Sequence, residues 1–144
     1  MIALRKTLSQ LSDQIVAVCT HSIEGDYPTE FRTYDEDWQN LYLSLDHLRN
    51  KLGGMRHAQL TEMAAQSRAH FDRAYAQAGW EIAGHARVGQ HNRLKPGELG
   101  HSEIKLGAQL MQDMEQVVKG KPPYAYPEDR YPWQREAMPY QRTS

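Results

Sequence analysis

Residues 33–54 read TYDEDWQNLYLSLDHLRNKLGG. Apolar side chains fall at Tyr34, Trp38, Leu41, Leu45, Leu48 and Leu52, in alternating steps of four and three. That spacing keeps them on one face of a helix of 3.6 residues per turn. Thr33 and Glu36 match a capping box, in which the threonine caps the helix and the glutamate reaches back. Asp35, Glu36 and Asp37 add negative charge where the helix N-terminus favours it. Gly53-Gly54 supplies a stop. The stretch predicts one amphipathic helix from 33 to 52, and its period decides for an all-α chain.

The same pattern recurs on both sides. From about Ile2 to His21 the apolar stripe is Leu4, Leu8, Leu11, Ile15 and Val18, with Asp13 and Gln14 between stripe positions and expected in solvent. The run Glu24-Gly25-Asp26-Tyr27-Pro28 ends it. A third helix is expected from about Met55 to Gln77, with Leu60, Met63, Ala64, Phe71, Ala74, Tyr75 and Ala78 inward and Arg56, Arg68 and Arg73 outward. The short Gly53-Gly54 link favours an antiparallel hairpin with the preceding helix. A last helix is expected to start near Pro96 or Ser102, with a stripe of Leu99, Leu106, Leu110, Met114 and Val117, and to stop at Gly120 before Pro122-Pro123. Each run is only about three heptads and is broken by glycine, so a bundle of four main helices is the reading rather than a coiled coil.

Two segments depart from this pattern. Residues 84–101, GHARVGQHNRLKPGELGH, form an expected irregular Gly/His-rich loop. Residues 121–144 hold five of the seven prolines, four of the eight tyrosines and Trp133. Such a tail favours extended, polyproline-like structure, with its rings lying against the bundle or a partner. The chain therefore divides into a helical bundle at 1–120 and a strap or docking tail at 121–144.

At 144 residues the chain is one domain by size, long enough to bury about 68–70% of its unfolded surface. Mean hydropathy is −0.77, which implies a narrow core. Cys19 is the one cysteine, so neither an intramolecular disulfide nor a cysteine-built zinc site is possible, and it reads as a small buried residue. Polar side chains interrupt the N-terminal apolar run throughout, and no stretch approaches a membrane span. The expectation is a cytoplasmic protein without a membrane role.

Net charge is −1, but it is unevenly laid out. Residues 1–48 carry three basic side chains against eight acidic ones, a balance of −5. Residues 49–95 carry eight against three, a balance of +5. A basic face of this kind suits contact with nucleic-acid phosphates, without base-specific reading. The residues expected to make it are Arg56, Arg68, Arg73, Arg87, Arg93 and Lys95. Nucleotide binding is poorly supported, because neither Gly-x-x-x-x-Gly-Lys-Ser/Thr nor Gly-x-Gly-x-x-Gly is present.

Other chemistry is thinner. His85, His91 and His101, with Glu81 or Glu98, are weak candidates for a metal site, since no His-Glu-x-x-His or paired Glu-x-x-His occurs. The reading is no metal and no cofactor. No nucleophile, base and orienting group converge along the chain, so an enzyme is not expected. Tyr124, Tyr126, Tyr131, Trp133 and Tyr140 are candidates for docking on a protein partner.

Three function classes follow. The first is a non-catalytic small subunit of a larger nucleoprotein assembly, contacting RNA or DNA backbone. The second is a protein-binding module, such as an immunity, chaperone or regulatory protein, using the acidic N-terminal helices or the aromatic tail. The third is a metal- or small-ligand-binding bundle.

Overall fold

The computed structural model describes residues 4–25, 33–80 and 94–121. They form an all-α bundle of five helices: α1 (Leu8–Glu24), α2 (Tyr34–His47), α3 (Arg49–Leu52), α4 (Gly54–Ala78) and α5 (His101–Val118). α3 is a single turn that prolongs α2 past Leu48, so four long helices make the bundle.

Local chemistry sets the ends. Thr7 caps α1, its hydroxyl accepting the Gln10 N–H at 3.1 Å. The first helix therefore starts at Leu8, later than the apolar spacing predicts, and Leu4 precedes it. Thr33 caps α2 by accepting the Glu36 N–H at 3.1 Å, and its hydroxyl faces Glu36 Oε1 at 3.3 Å. This is a capping box closed side chain to side chain. The stripe from Tyr34 to Leu52 is buried throughout, although the helix is interrupted at Leu48. α5 starts at His101, behind Gly100 at φ +95°, a left-handed conformation that suits glycine. Leu99 thus lies in the preceding turn, 75% exposed rather than in the core as its spacing suggested.

The topology is up-down-up-down. His21 meets Asp37 near one end of the bundle and Arg5 meets Ser44 towards the other, so α1 and α2 are antiparallel. Tyr34 meets Asp72 while His57 meets Asp46, which sets α4 against α2. His70 meets Glu103 while Arg56 reaches the Val118 carbonyl, which sets α5 against α4. α5 also packs on α1 and closes the ring of helices.

The core holds Leu11, Ile15, Trp38, Leu41, Leu60, Met63, Phe71, Leu110 and Met114, each at 1% exposure or less. Tyr34, Trp38, Phe71 and Tyr75 form an aromatic cluster, with Tyr34 edge-on to Tyr75 at 5.1 Å between ring centres. α4 buries the predicted inward face except Ala78, which is only half-buried in its last turn, and adds Ser67 and His70, which the apolar pattern alone does not mark. No described helix is long and apolar enough to cross a membrane.

Candidate functional site

The three expected backbone-contacting arginines of α4 are all engaged inside the fold. Arg56 donates from Nε to the Leu52 carbonyl at 2.7 Å, from Nη1 to the Val118 carbonyl at 3.0 Å and from Nη2 to the Lys51 carbonyl at 3.1 Å. These carbonyls lie at helix ends, where the intrahelical ladder leaves acceptors open. Arg68 pairs with Asp35 and lies over the Tyr34 ring at 5.2 Å. Burial alone lowers the Arg68 pKa, but Tyr34, Asp72 and Asp35 outweigh it and hold it above its ordinary value. Arg73 Nε lies 3.4 Å from Glu103 Oε2. Lys95 is exposed in the turn before α5. Arg87 and Arg93 lie outside the described residues, as do Glu81, His85, His91, Tyr124, Tyr126, Tyr131, Trp133 and Tyr140.

Histidines and acids pair across the helix junctions. His21 Nδ1 donates to Asp37 at 2.8 Å between α1 and α2, and His57 Nε2 donates to Asp46 at 2.8 Å between α4 and α2. His70 Nδ1 lies 2.6 Å from Glu103 Oε2 and 2.9 Å from Arg73 Nη2. One nitrogen cannot donate to the first and accept from the second at once, and the shorter contact to the carboxylate is the one that joins α4 to α5. Asp37, in the first turn of α2, is only 5% exposed and pairs with His21. Among the described residues, no three His, Cys, Asp or Glu side chains are placed to hold a metal ion. His101 stands at the first residue of α5, where burial, then Lys105, lowers its pKa against the opposing effect of Glu98.

Ser22 ties the far end of the core together. Trp38 Nε1 donates to its hydroxyl at 3.2 Å, and the Tyr75 hydroxyl donates to its carbonyl at 2.5 Å. Burial, with Tyr75 and Asp72 beside it, pushes the Tyr34 hydroxyl far above its usual pKa.

The concave feature lies at the other end. Residues 4–6 run beside the ends of α2 and α3: the Arg5 N–H donates to Ser44 Oγ at 3.5 Å, Lys51 Nζ donates to the Lys6 carbonyl at 2.8 Å, and the Lys6 N–H donates to Gln10 Oε1 at 2.9 Å. Between this segment and α1 runs an open groove of about 590 Å³, lined by Leu4, Arg5, Lys6, Gln10, Asp13, Gln14 and Ala17. None of the histidine–carboxylate pairs lines it.

Gln14 also departs from the reading of the sequence. Its place between stripe positions suggests solvent, yet it is 5% exposed, and its Oε1 is buried without a hydrogen-bond partner. It lies seven residues before His21, on the side of α1 that turns towards α2. Burying an amide oxygen unpaired costs about 1–3 kcal/mol, which marks the group as unusual.

No family model, curated protein or solved structure matches this chain.

Proposed function

We propose that this chain is a non-catalytic protein-binding module, with its interface at the groove between residues 4–6 and α1. The observation that carries the reading is the open groove itself, about 590 Å³, which combines apolar Leu4 and Ala17 with charged Arg5, Lys6 and Asp13 in its lining. Arg68 and Arg73 support the reading indirectly, because Asp35 and Glu103 offset charge that a polyanion would require. The test places a photo-crosslinking amino acid at Asp13 in the full chain, with a control at exposed Glu62. Discrete protein adducts from position 13 and none from position 62 are expected. Equal labelling from both positions, or no protein adduct from 13, sinks the reading.

A second reading keeps some support: a small non-catalytic subunit of a nucleoprotein assembly. Lys95 is exposed, and it belongs to the 49–95 block with its balance of +5. Salt-dependent anisotropy with RNA and DNA separates the two, since phosphate contacts weaken steeply as salt rises.

A further inference from the structure

Resting on the nucleoprotein reading, we infer that the end of the bundle where α3 turns into α4 holds a nucleic-acid duplex by its phosphates, without reading its bases.

The up-down-up-down topology brings three separated segments to this end. Lys51 Nζ bonds the Lys6 carbonyl, and Arg56 bonds the Lys51 and Val118 carbonyls. Residues 4–7, 46–57 and 115–121 together hold seven Lys and Arg side chains and two carboxylates, Asp46 and Glu115. Those two are already paired, Asp46 with His57 and Glu115 with Lys119. Lys51 and Arg56 bond carbonyls, which carry no net charge to offset theirs. Lys6, Arg49, Lys51 and Lys121 are exposed, and among the described residues no carboxylate pairs with them. The linear sequence hides this concentration, because Lys6 belongs to the block with a balance of −5 and Lys121 lies beyond the block with a balance of +5.

The opposite end has the reverse balance. Residues 21–24, 33–37, 68–75 and 95–105 hold seven carboxylates against four Lys and Arg. The two ends give the bundle a charge dipole, which turns the basic end towards an approaching polyanion.

The kind of polyanion follows from what else this end offers. It presents helix ends and turns rather than the side of a helix, so it has no element to lay in a groove against base edges. Among the described residues no Phe, Tyr or Trp is exposed, so a single strand finds no ring to stack on. Met55 is the one exposed large hydrophobic side chain at this end among the described residues. That is too little apolar surface for a membrane to take up, or for the hot spot of a protein interface. Duplex phosphates ask only for spaced cations.

The test is fluorescence anisotropy of the full chain with a labelled DNA duplex of about 20 base pairs, from roughly 50 to 200 mM salt. Phosphate contacts by Lys6, Arg49, Lys51 and Lys121 give a slope of log K against log salt of about −3.6, at about −0.9 per phosphate. Arg49→Gln and Lys121→Gln, whose side chains bond nothing among the described residues, should each flatten that slope by about 1. Lys95→Gln, at the other end, should leave it unchanged, and a duplex of scrambled sequence should bind equally well. Binding whose slope survives Arg49→Gln and Lys121→Gln, or flattens with Lys95→Gln instead, overturns the inference and leaves the nucleoprotein reading standing. No binding to duplex or single strand at low salt overturns both. Tighter binding to the single strand, to vesicles of phosphatidylserine and phosphatidylcholine, or to poly-L-glutamate of matched charge overturns the duplex as the occupant.

Discussion

Phe71 fills the space that a side chain at Gly107 would need. A Cβ built at position 107 meets the Phe71 ring at 2.9 Å, and the Ser67 hydroxyl donates to the Gly107 carbonyl at 2.8 Å. α4 and α5 cross here at backbone contact, and a glycine in mid-helix is the condition for it. The phenyl ring is fully buried and has nowhere to go.

Gly107→Ala is accordingly expected to destabilise the chain by about 1 kcal/mol. Overpacking costs about 1–3 kcal/mol, against a helix-propensity gain of about 1 kcal/mol. Gly54→Ala provides the opposite sign, since nothing lies within 4 Å of its Cβ position and its φ is ordinary. It should gain about 0.4–1 kcal/mol. Urea denaturation of both variants checks the pair; a stabilised Gly107→Ala refutes the close crossing.

Tyr75→Phe should cost about 1–3 kcal/mol, because it leaves the buried Ser22 carbonyl near the end of α1 without its donor. The ring packing is unchanged by the substitution. Loss of Tyr75 protection should show as faster amide exchange in the last turn of α1, measured by mass spectrometry.

Arg56→Met keeps the stem and removes a guanidinium that bonds three carbonyls, two from α3 and one from α5. Hydrogen bonds to charged groups contribute about 1.5–3 kcal/mol each at most, and this side chain is partly solvated, so a loss of about 2 kcal/mol is expected. Thermal unfolding decides it. A variant as stable as the parent would return Arg56 to the pool of cations available for a ligand.

Acid should weaken the fold through His101. Its folded pKa lies below 6.5, so the unfolded chain takes up the proton first as pH falls. Stability is unaffected by this group at high pH and is lost as pH drops through 6.5 towards the folded value. His101→Gln should therefore lose less stability between about pH 8 and about pH 5 than the parent. Denaturant midpoints at the two pH values measure the difference, and identical losses argue against the burial and Lys105 effect.

The long helices were legible because period is a property of neighbouring residues. Tyr34 to Leu52, Leu11 to Val18 and Leu110 to Val117 all read correctly from spacing. Polar residues were harder, since their fate depends on what crosses them from elsewhere in the chain. Gln14 looks solvated from its spacing, yet it shares a helix face with His21, which meets Asp37 of α2, and it is buried. His70 continues the inward row of Met63, Ser67 and Ala74, but only Glu103, thirty-three residues away, explains why a histidine belongs there. Of the α4 arginines expected to face outward, Arg73 is exposed while Arg56 and Arg68 are half-buried, because their partners come from α3, α5 and α2. Leu99 was misplaced because the apolar spacing runs one turn past the glycine that starts α5.

The packing of α5 on α1 has a consequence for how the protein is made. α1 and α5 pack together although residues 25–100 lie between them in the chain. On a ribosome, the stripe of Leu11, Ile15 and Val18 emerges early and must wait for Ile104 to Val118. At about 5–20 residues per second, that leaves an apolar strip uncovered for several seconds in every copy synthesised.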